Sequence, residues 1–183
     1  MTKIVNTPLT DDAINDLCAG DRVLLNGIIY TGRDAAHKRL VGMIQNGQEL
    51  PMDIKGQIIY YVGPCPAKPG QVIGSAGPTT SGRMDAYADI LMDSGLKGMI
   101  GKGLRSKKVV DSIIKNNGVY FAAIGGAGAL LAEAIREAEV IAFHDLGPEA
   151  IYRLRVENFP VTVVIDNKGN DLYKIGREKY RIG

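Results

Sequence analysis

Apolar residues recur along this chain in two rhythms. Ala13, Ile14, Leu17 and Cys18 follow the capping run Thr10-Asp11-Asp12 at helical spacing and stop at Gly20. The same three- and four-residue spacing relates Ala35, Ala36, Leu40, Met43 and Ile44, with a helix end near Gly47. It returns in Met84, Tyr87, Ala88, Leu91 and Met92 from Ser81 onward, and in Val109, Val110, Ile113 and Ile114 behind Ser106. A small-residue helix is predicted over 129–135, led in by Gly125-Gly126-Ala127-Gly128. Short continuous apolar runs at 57–62, 71–73, 98–100, 119–123 and 140–143 predict strands. Val23-Leu24-Leu25 and Ile28-Ile29-Tyr30 flank Asn26-Gly27, which makes either a hairpin turn or a bulge in one long strand. Residues 161–165 and 172–175 flank Asn167-Lys168-Gly169-Asn170 and predict a C-terminal hairpin, while 148–154 fits a short helix or an irregular crossing. Strands alternating with helices imply an α/β fold, and the antiparallel pieces at the two ends imply a mixed sheet.

Composition narrows the function classes. A chain of 183 residues is read as one domain over 1–183, with room for a sizeable core. The 22 basic residues nearly cancel the 20 acidic ones, and Arg105 with Lys107-Lys108 makes a short cluster and not a stripe, so no nucleic-acid surface is expected. No apolar run approaches the ~20 residues of a membrane span. Residues 1–10 lack the apolar stretch of a signal peptide, so the expected setting is the cytoplasm. Two cysteines and two histidines give no spaced metal site. An iron–sulfur cluster takes about three or four thiolates, more than this chain has.

The glycine-rich turns then carry the chemistry. The spacing G-x-x-x-x-G-K-[ST] is absent, and 125–128 does not fit G-x-G-x-x-G in register, so close packing explains that segment better than nucleotide binding. No serine lies in G-x-S-x-G. His37 is expected at a surface or interface, Glu149 as a cap or core-edge partner, and His144-Asp145 as a possible proton relay after a strand. Three turns share a cation: Thr31-Gly32-Arg33-Asp34, the stretch from Gly74 to Asp85 with Thr79, Thr80 and Arg83, and Gly101-Lys102-Gly103. In each of the first two, a short strand is expected to lead through glycine into a helix N-terminus, which favours an anion. Turns that follow parallel strands gather at one sheet edge. Three cations there, with hydroxyls between them, suit a small dicarboxylate, each charge-assisted contact contributing about 1.5–3 kcal/mol. The plainer alternative is a capped surface turn with solvated cations.

Four of these segments, with Gly63-Pro64-Cys65-Pro66, occur in a telling order: 31–37, 63–66, 77–85 (Gly-Pro-Thr-Thr-Ser-Gly-Arg-Met-Asp), 101–103 and 146–151. Together they resemble the β subunit, equivalently the C-terminal domain, of iron–sulfur (class I) fumarate hydratases and L-tartrate dehydratases, over about residues 21–166. The resemblance implies a three-layer swivelling β/β/α domain with a mixed sheet. It implies reversible addition of water to fumarate giving L-malate, or loss of water from tartrate, and leaves the choice open. It places a [4Fe–4S] cluster, acting as Lewis acid, in a partner α subunit, commonly in a heterotetramer, and leaves this chain inactive alone. Carried over by position, Arg33, Arg83 and Lys102 hold substrate carboxylates together with Thr80. Thr79 lies at the reacting end, for proton transfer or for hydrogen bonding. The general base comes from the partner, and Cys65 forms part of a wall. A phosphate- or nucleotide-binding α/β protein and a non-catalytic scaffold are the competing readings.

Overall fold

A computed structural model describes residues 2–123 and 127–179. The elements run β1 (Thr2–Asn6), α1 (Asp11–Asn15), β2 (Arg22–Thr31), α2 (Asp34–Gln45), β3 (Ile58–Tyr60), a 3-10 turn (Ser81–Met84) continuing into α3 (Asp85–Asp93), and β4 (Gly98–Gly101). They continue with α4 (Lys107–Lys115), β5 (Val119–Ala122), α5 (Gly128–Glu133), β6 (Ile135–Ala142), a 3-10 segment (His144–Glu149), β7 (Ile151–Ile165) and α6 (Leu172–Lys179).

Among the described residues seven strands form one mixed sheet in the order β1-β2-β3-β4-β5-β7-β6, and β7 also pairs with β2. Neighbours from β1 to β5 are parallel, whereas β7 is antiparallel to β2, β5 and β6. The β2–β7 pairing therefore closes β2, β3, β4, β5 and β7 into a ring. Alternation along each strand sorts side chains into two cores. Ile58 and Tyr60, Ile100, Val119 and Phe121, and Val163 join one buried cluster with β2 residues Val23, Leu25 and Ile29. Ile59 and Tyr61, Met99, Tyr120 and Val164 join the other, against Leu40 of α2, Leu91 of α3 and Ile113 of α4. Strands on both sides of the first core and helices over the second give the expected β/β/α layering.

Several sequence expectations change in detail. Asn26-Gly27 is a bulge, not a hairpin: β2 runs through it with a register shift, and Gly27 takes φ +115° while a side chain there would meet the Thr7 carbonyl at 3.0 Å. Residues 71–73 form no strand, because the backbone beside them bonds back to Cys65 (Cys65 N–H to Ser75 O, Gly74 N–H to Cys65 O) and Val72 is exposed. The C-terminal hairpin is also overturned. Its turn forms, with Asp166 Oδ1 accepting from Lys168 and Asn170 N–H, both at 3.0 Å. Beyond it Asp171 Oδ1 accepts from Tyr173 N–H at 3.0 Å and opens α6, where a second strand arm was predicted. The expected lead-in glycines 125 and 126 lie outside the described residues.

Candidate anion-binding site

Parallel pairing puts the C-terminal ends of β2, β3 and β4 side by side, so the chain emerging from each enters one edge. Arg33 follows β2 after the single residue Gly32 and is the N-cap residue of α2. Beyond β3, Tyr61 O accepts from Thr79 N–H at 2.7 Å, which draws the 77–85 stretch back to that edge. Thr80 pairs as an isolated parallel bridge with Lys102, just past β4, and Ser81 N–H donates to Lys102 O at 2.9 Å. Arg83 closes the set, its Nη2 lying 2.8 Å from Oδ2 of Asp34, the residue after Arg33. All five predicted site residues, Arg33, Thr79, Thr80, Arg83 and Lys102, thus stand on one edge. Thr80 and Lys102 are exposed and Thr79 is half-buried.

The local route differs from the expected one. No strand leads into the 77–85 turn, and Thr80, although the N-cap residue of the 3-10 turn, makes no side-chain capping bond. The stretch is held instead by its bridge to Lys102 and by buried groups beneath. Ser81 is fully buried, and the Tyr120 hydroxyl sits 2.9 Å from both Ser81 Oγ and Gly103 O. Since a carbonyl only accepts, Tyr120 donates to Gly103 and takes the Ser81 hydrogen. Burial pushes the Tyr120 hydroxyl's pKa well up, so it keeps its proton to donate.

Arg105, grouped in sequence with the basic pair Lys107-Lys108, is buried. Its Nε donates to Asp85 Oδ1 at 2.6 Å, its Nη2 to the Tyr61 hydroxyl at 3.3 Å, and its guanidinium lies over the Tyr61 and Tyr120 rings. Burial disfavours that charge, but Tyr61 and Asp85 more than offset it. The other Asp85 oxygen accepts from Ser106 N–H at 2.6 Å. Asp85 therefore ties the end of the Thr-Thr-x-x-Arg-Met-Asp stretch to the loop after Lys102. Its role was hidden in the sequence, where an aspartate opening a helix reads as a cap.

His37, expected at a surface or interface, is fully buried within the chain. Its Nδ1 lies 2.8 Å from Arg33 O, and its ring meets Tyr61 edge-on at 5.2 Å. The carbonyl accepts, so Nδ1 carries the proton and buried Nε2, which has no partner among the described residues, is a bare acceptor. Burial lowers its pKa to about 4, so the ring is neutral at ordinary pH. Asp145, weighed as half of a relay with His144, is instead exposed and paired to Arg39 through both oxygens. Glu149, read as a core-edge partner, faces Arg33 Nε at 3.3 Å.

A separate cavity of about 580 Å³ lies between the 65–75 loop and α5, lined by Cys65, Lys68, Val72, Ile73, Ala132 and Glu133 among others. Its lining is mostly apolar, and Lys68 and Glu133 offset each other, so a dianion is better served by the cationic edge. Among the described residues no group of three or more His, Cys, Asp or Glu gathers to hold a metal ion. Cys18 and Cys65 are both free and exposed. These donors do not fit a [4Fe–4S] cluster. Among the described residues no helix is long and apolar enough to cross a membrane.

A family model described as the fumarase C-terminus matches residues 2–176. The chain is 44% identical over 156 residues to fumarate hydratase 2 of Leishmania major, covering 84% of this chain and 28% of that one. It is 45% identical over 155 residues to the anaerobic class I fumarate hydratase of Escherichia coli, with the same coverage. It is 39% identical over 172 residues to a Methanocaldococcus jannaschii protein named as an L(+)-tartrate dehydratase subunit beta, covering 91% of this chain and 88% of that one. The chain therefore spans little more than a quarter of the two fumarate hydratases but nearly all of the archaeal subunit.

Proposed function

The chain belongs to the fumarase C-terminus family, and from that premise we propose that it is the β subunit of a two-subunit hydro-lyase interconverting fumarate and L-malate. The observation that carries this reading is the gathering of Arg33, Arg83 and Lys102, with Thr79 and Thr80 between them, where β2, β3 and β4 end. Two carboxylates at opposite ends of a four-carbon acid need two separated cationic clamps. The arginines offer planar forks and the lysine a point charge. Thr79 is anchored by its own backbone N–H to Tyr61 O, and in this reading its hydroxyl acts as a hydrogen-bond partner at the reacting end. A hydroxyl is a weak acid by itself, so transfer of a proton through Thr79 needs a charge close by. The general base comes from the companion chain.

The [4Fe–4S] cluster belongs, in this reading, to the companion α subunit, since the donors here do not fit one. A separate companion is supported by the archaeal relative, matched over 88% of its length and itself named a subunit. Two copies each of α and β in the cytoplasm complete the proposal. Dehydration of L-tartrate is the second reading, favoured by the same relative. Anaerobic co-expression with a cluster-bearing α chain, then assay on fumarate, L-malate and both tartrate isomers, tests the reading and chooses between the acids. Turnover of fumarate and L-malate is expected from the pair and none from the 183-residue chain alone. Turnover by the chain without a partner contradicts it.

A further inference from the structure

The Leu146-Gly147-Pro148-Glu149 segment has so far no part in the chemistry. It belongs to the 3-10 stretch His144–Glu149, which Gly147 breaks with φ +56°. One end is bolted to α2: Asp145 accepts two hydrogen bonds from Arg39, whose guanidinium also lies 5.2 Å over the Phe143 ring. The other end reaches the start of the same helix, where Glu149 Oε1 lies 3.3 Å from Arg33 Nε. Opposite stands Gly63. A side chain there would meet Arg33 Nη1 at 2.9 Å, Arg33 Cδ at 3.1 Å and the Pro148 carbonyl at 3.5 Å. The Arg33 side chain therefore runs in a slot walled by Gly63 and by the Pro148–Glu149 backbone. The Nε atom is shut off from water and has no hydrogen-bond partner, and Glu149, 3.3 Å away, is the one carboxylate paired with Arg33 among the described residues.

A guanidinium can offer a carboxylate either its Nε edge or its terminal Nη1/Nη2 edge. We propose that Glu149 is a positioning residue: it occupies the Nε edge of Arg33 and so commits the terminal edge to the substrate's carboxylate. The proposal rests on the dicarboxylate reading above. A single pair whose side chains keep 26% and 32% of their exposure contributes little to folding. Its effect falls on binding, because a long side chain held in one rotamer before the ligand arrives has less freedom to lose.

The test is a double-mutant cycle in the assembled enzyme, under anaerobic conditions, with fumarate and L-malate. Glu149→Gln keeps the side chain's size and removes its charge; it raises KM about tenfold and leaves kcat within about threefold. On an Arg33→Lys background the same change moves KM less than about twofold, since lysine has no Nε edge to hold. Asp145→Asn, which loosens the far end of the segment, leaves both constants within about twofold. A KM unmoved by Glu149→Gln, or moved equally on both backgrounds, overturns the proposal. A second readout needs no turnover. In the 183-residue chain, the proton–nitrogen signal of Arg33 Nε is expected to lose its protection from solvent exchange in Glu149→Gln, and an unchanged signal overturns the pairing. An assembled enzyme inactive on every one of the acids defeats the function proposed above, and the Nε signal then still decides whether Glu149 holds Arg33.

Discussion

The carbonyl of Arg33 accepts two hydrogen bonds from one residue, His37: from its backbone N–H at 2.9 Å and from ring Nδ1 at 2.8 Å. The site's first cation is thus set by a neutral imidazole beneath it. That neutrality has a pH signature. Folded His37 titrates at about 4, below the ordinary 6.5, so between those values the unfolded chain binds the proton and the folded one does not. Its contribution is whole above pH 6.5 and declines as pH falls toward 4, by on the order of 3 kcal/mol at about 1.4 kcal/mol per pKa unit. Urea midpoints at pH 7 and pH 4.5, compared between the protein and His37→Gln, check this: the variant is expected to be the less pH-sensitive. Equal pH dependence would assign the effect to the surface carboxylates instead. Asp85 makes the second residue-scale case. Asp85→Asn strands a buried guanidinium and is expected to cost about 3–5 kcal/mol in urea unfolding. A loss below about 1 kcal/mol would mean that Arg105 finds another partner.

Two glycines show how elements place the side chains. Gly101 ends β4, and a methyl group there would collide with buried Ser81 Oγ and come within 2.9 Å of the Tyr61 ring. Neither neighbour can swing away, so Gly101→Ala is expected to lower stability by about 1–3 kcal/mol, read as a drop in Tm. Gly63 meets instead the far end of Arg33, which can move. Gly63→Ala is therefore expected to leave Tm nearly unchanged while lowering kcat/KM about tenfold in the assembled enzyme. A variant that loses stability and keeps its activity would refute the slot. The two positions also mark what the sequence made legible. Glycines beside Arg33 and Lys102, after apolar runs of strand length, sufficed to locate two turns of the edge. The route into Thr79 was misread, because 71–73 has a strand's composition while its backbone partners come from Cys65. The final hairpin failed similarly. Its turn residues were correctly read, but Asp171 opens a helix just beyond, and apolar residues at 172 and 175 fit either element. The carboxylate partners Asp34 and Glu149 were out of reach, since spacing along the chain says nothing of which acid a fold brings to which arginine.

For the molecule as a whole, the closed ring of β2, β3, β4, β5 and β7 is what makes the edge rigid. Its buried residues run from Val23 on β2 to Val163 on β7, and each of its five strands has a neighbour on both sides. Loops from three adjacent strands are thereby kept at fixed spacing, and a chain of side-chain contacts below them, from His37 through Tyr61 to Arg105 and Asp85, joins one loop to the next. The Asp34–Arg83 contact then places the two arginines on a common side. What that geometry is for is decided most directly by kcat/KM for fumarate hydration in the assembled enzyme carrying Arg83→Ala. A shared dianion pocket predicts a fall of about 30- to 1,000-fold, the equivalent of about 2–4 kcal/mol of lost transition-state binding. A kcat/KM equal to that of the unaltered enzyme would contradict it.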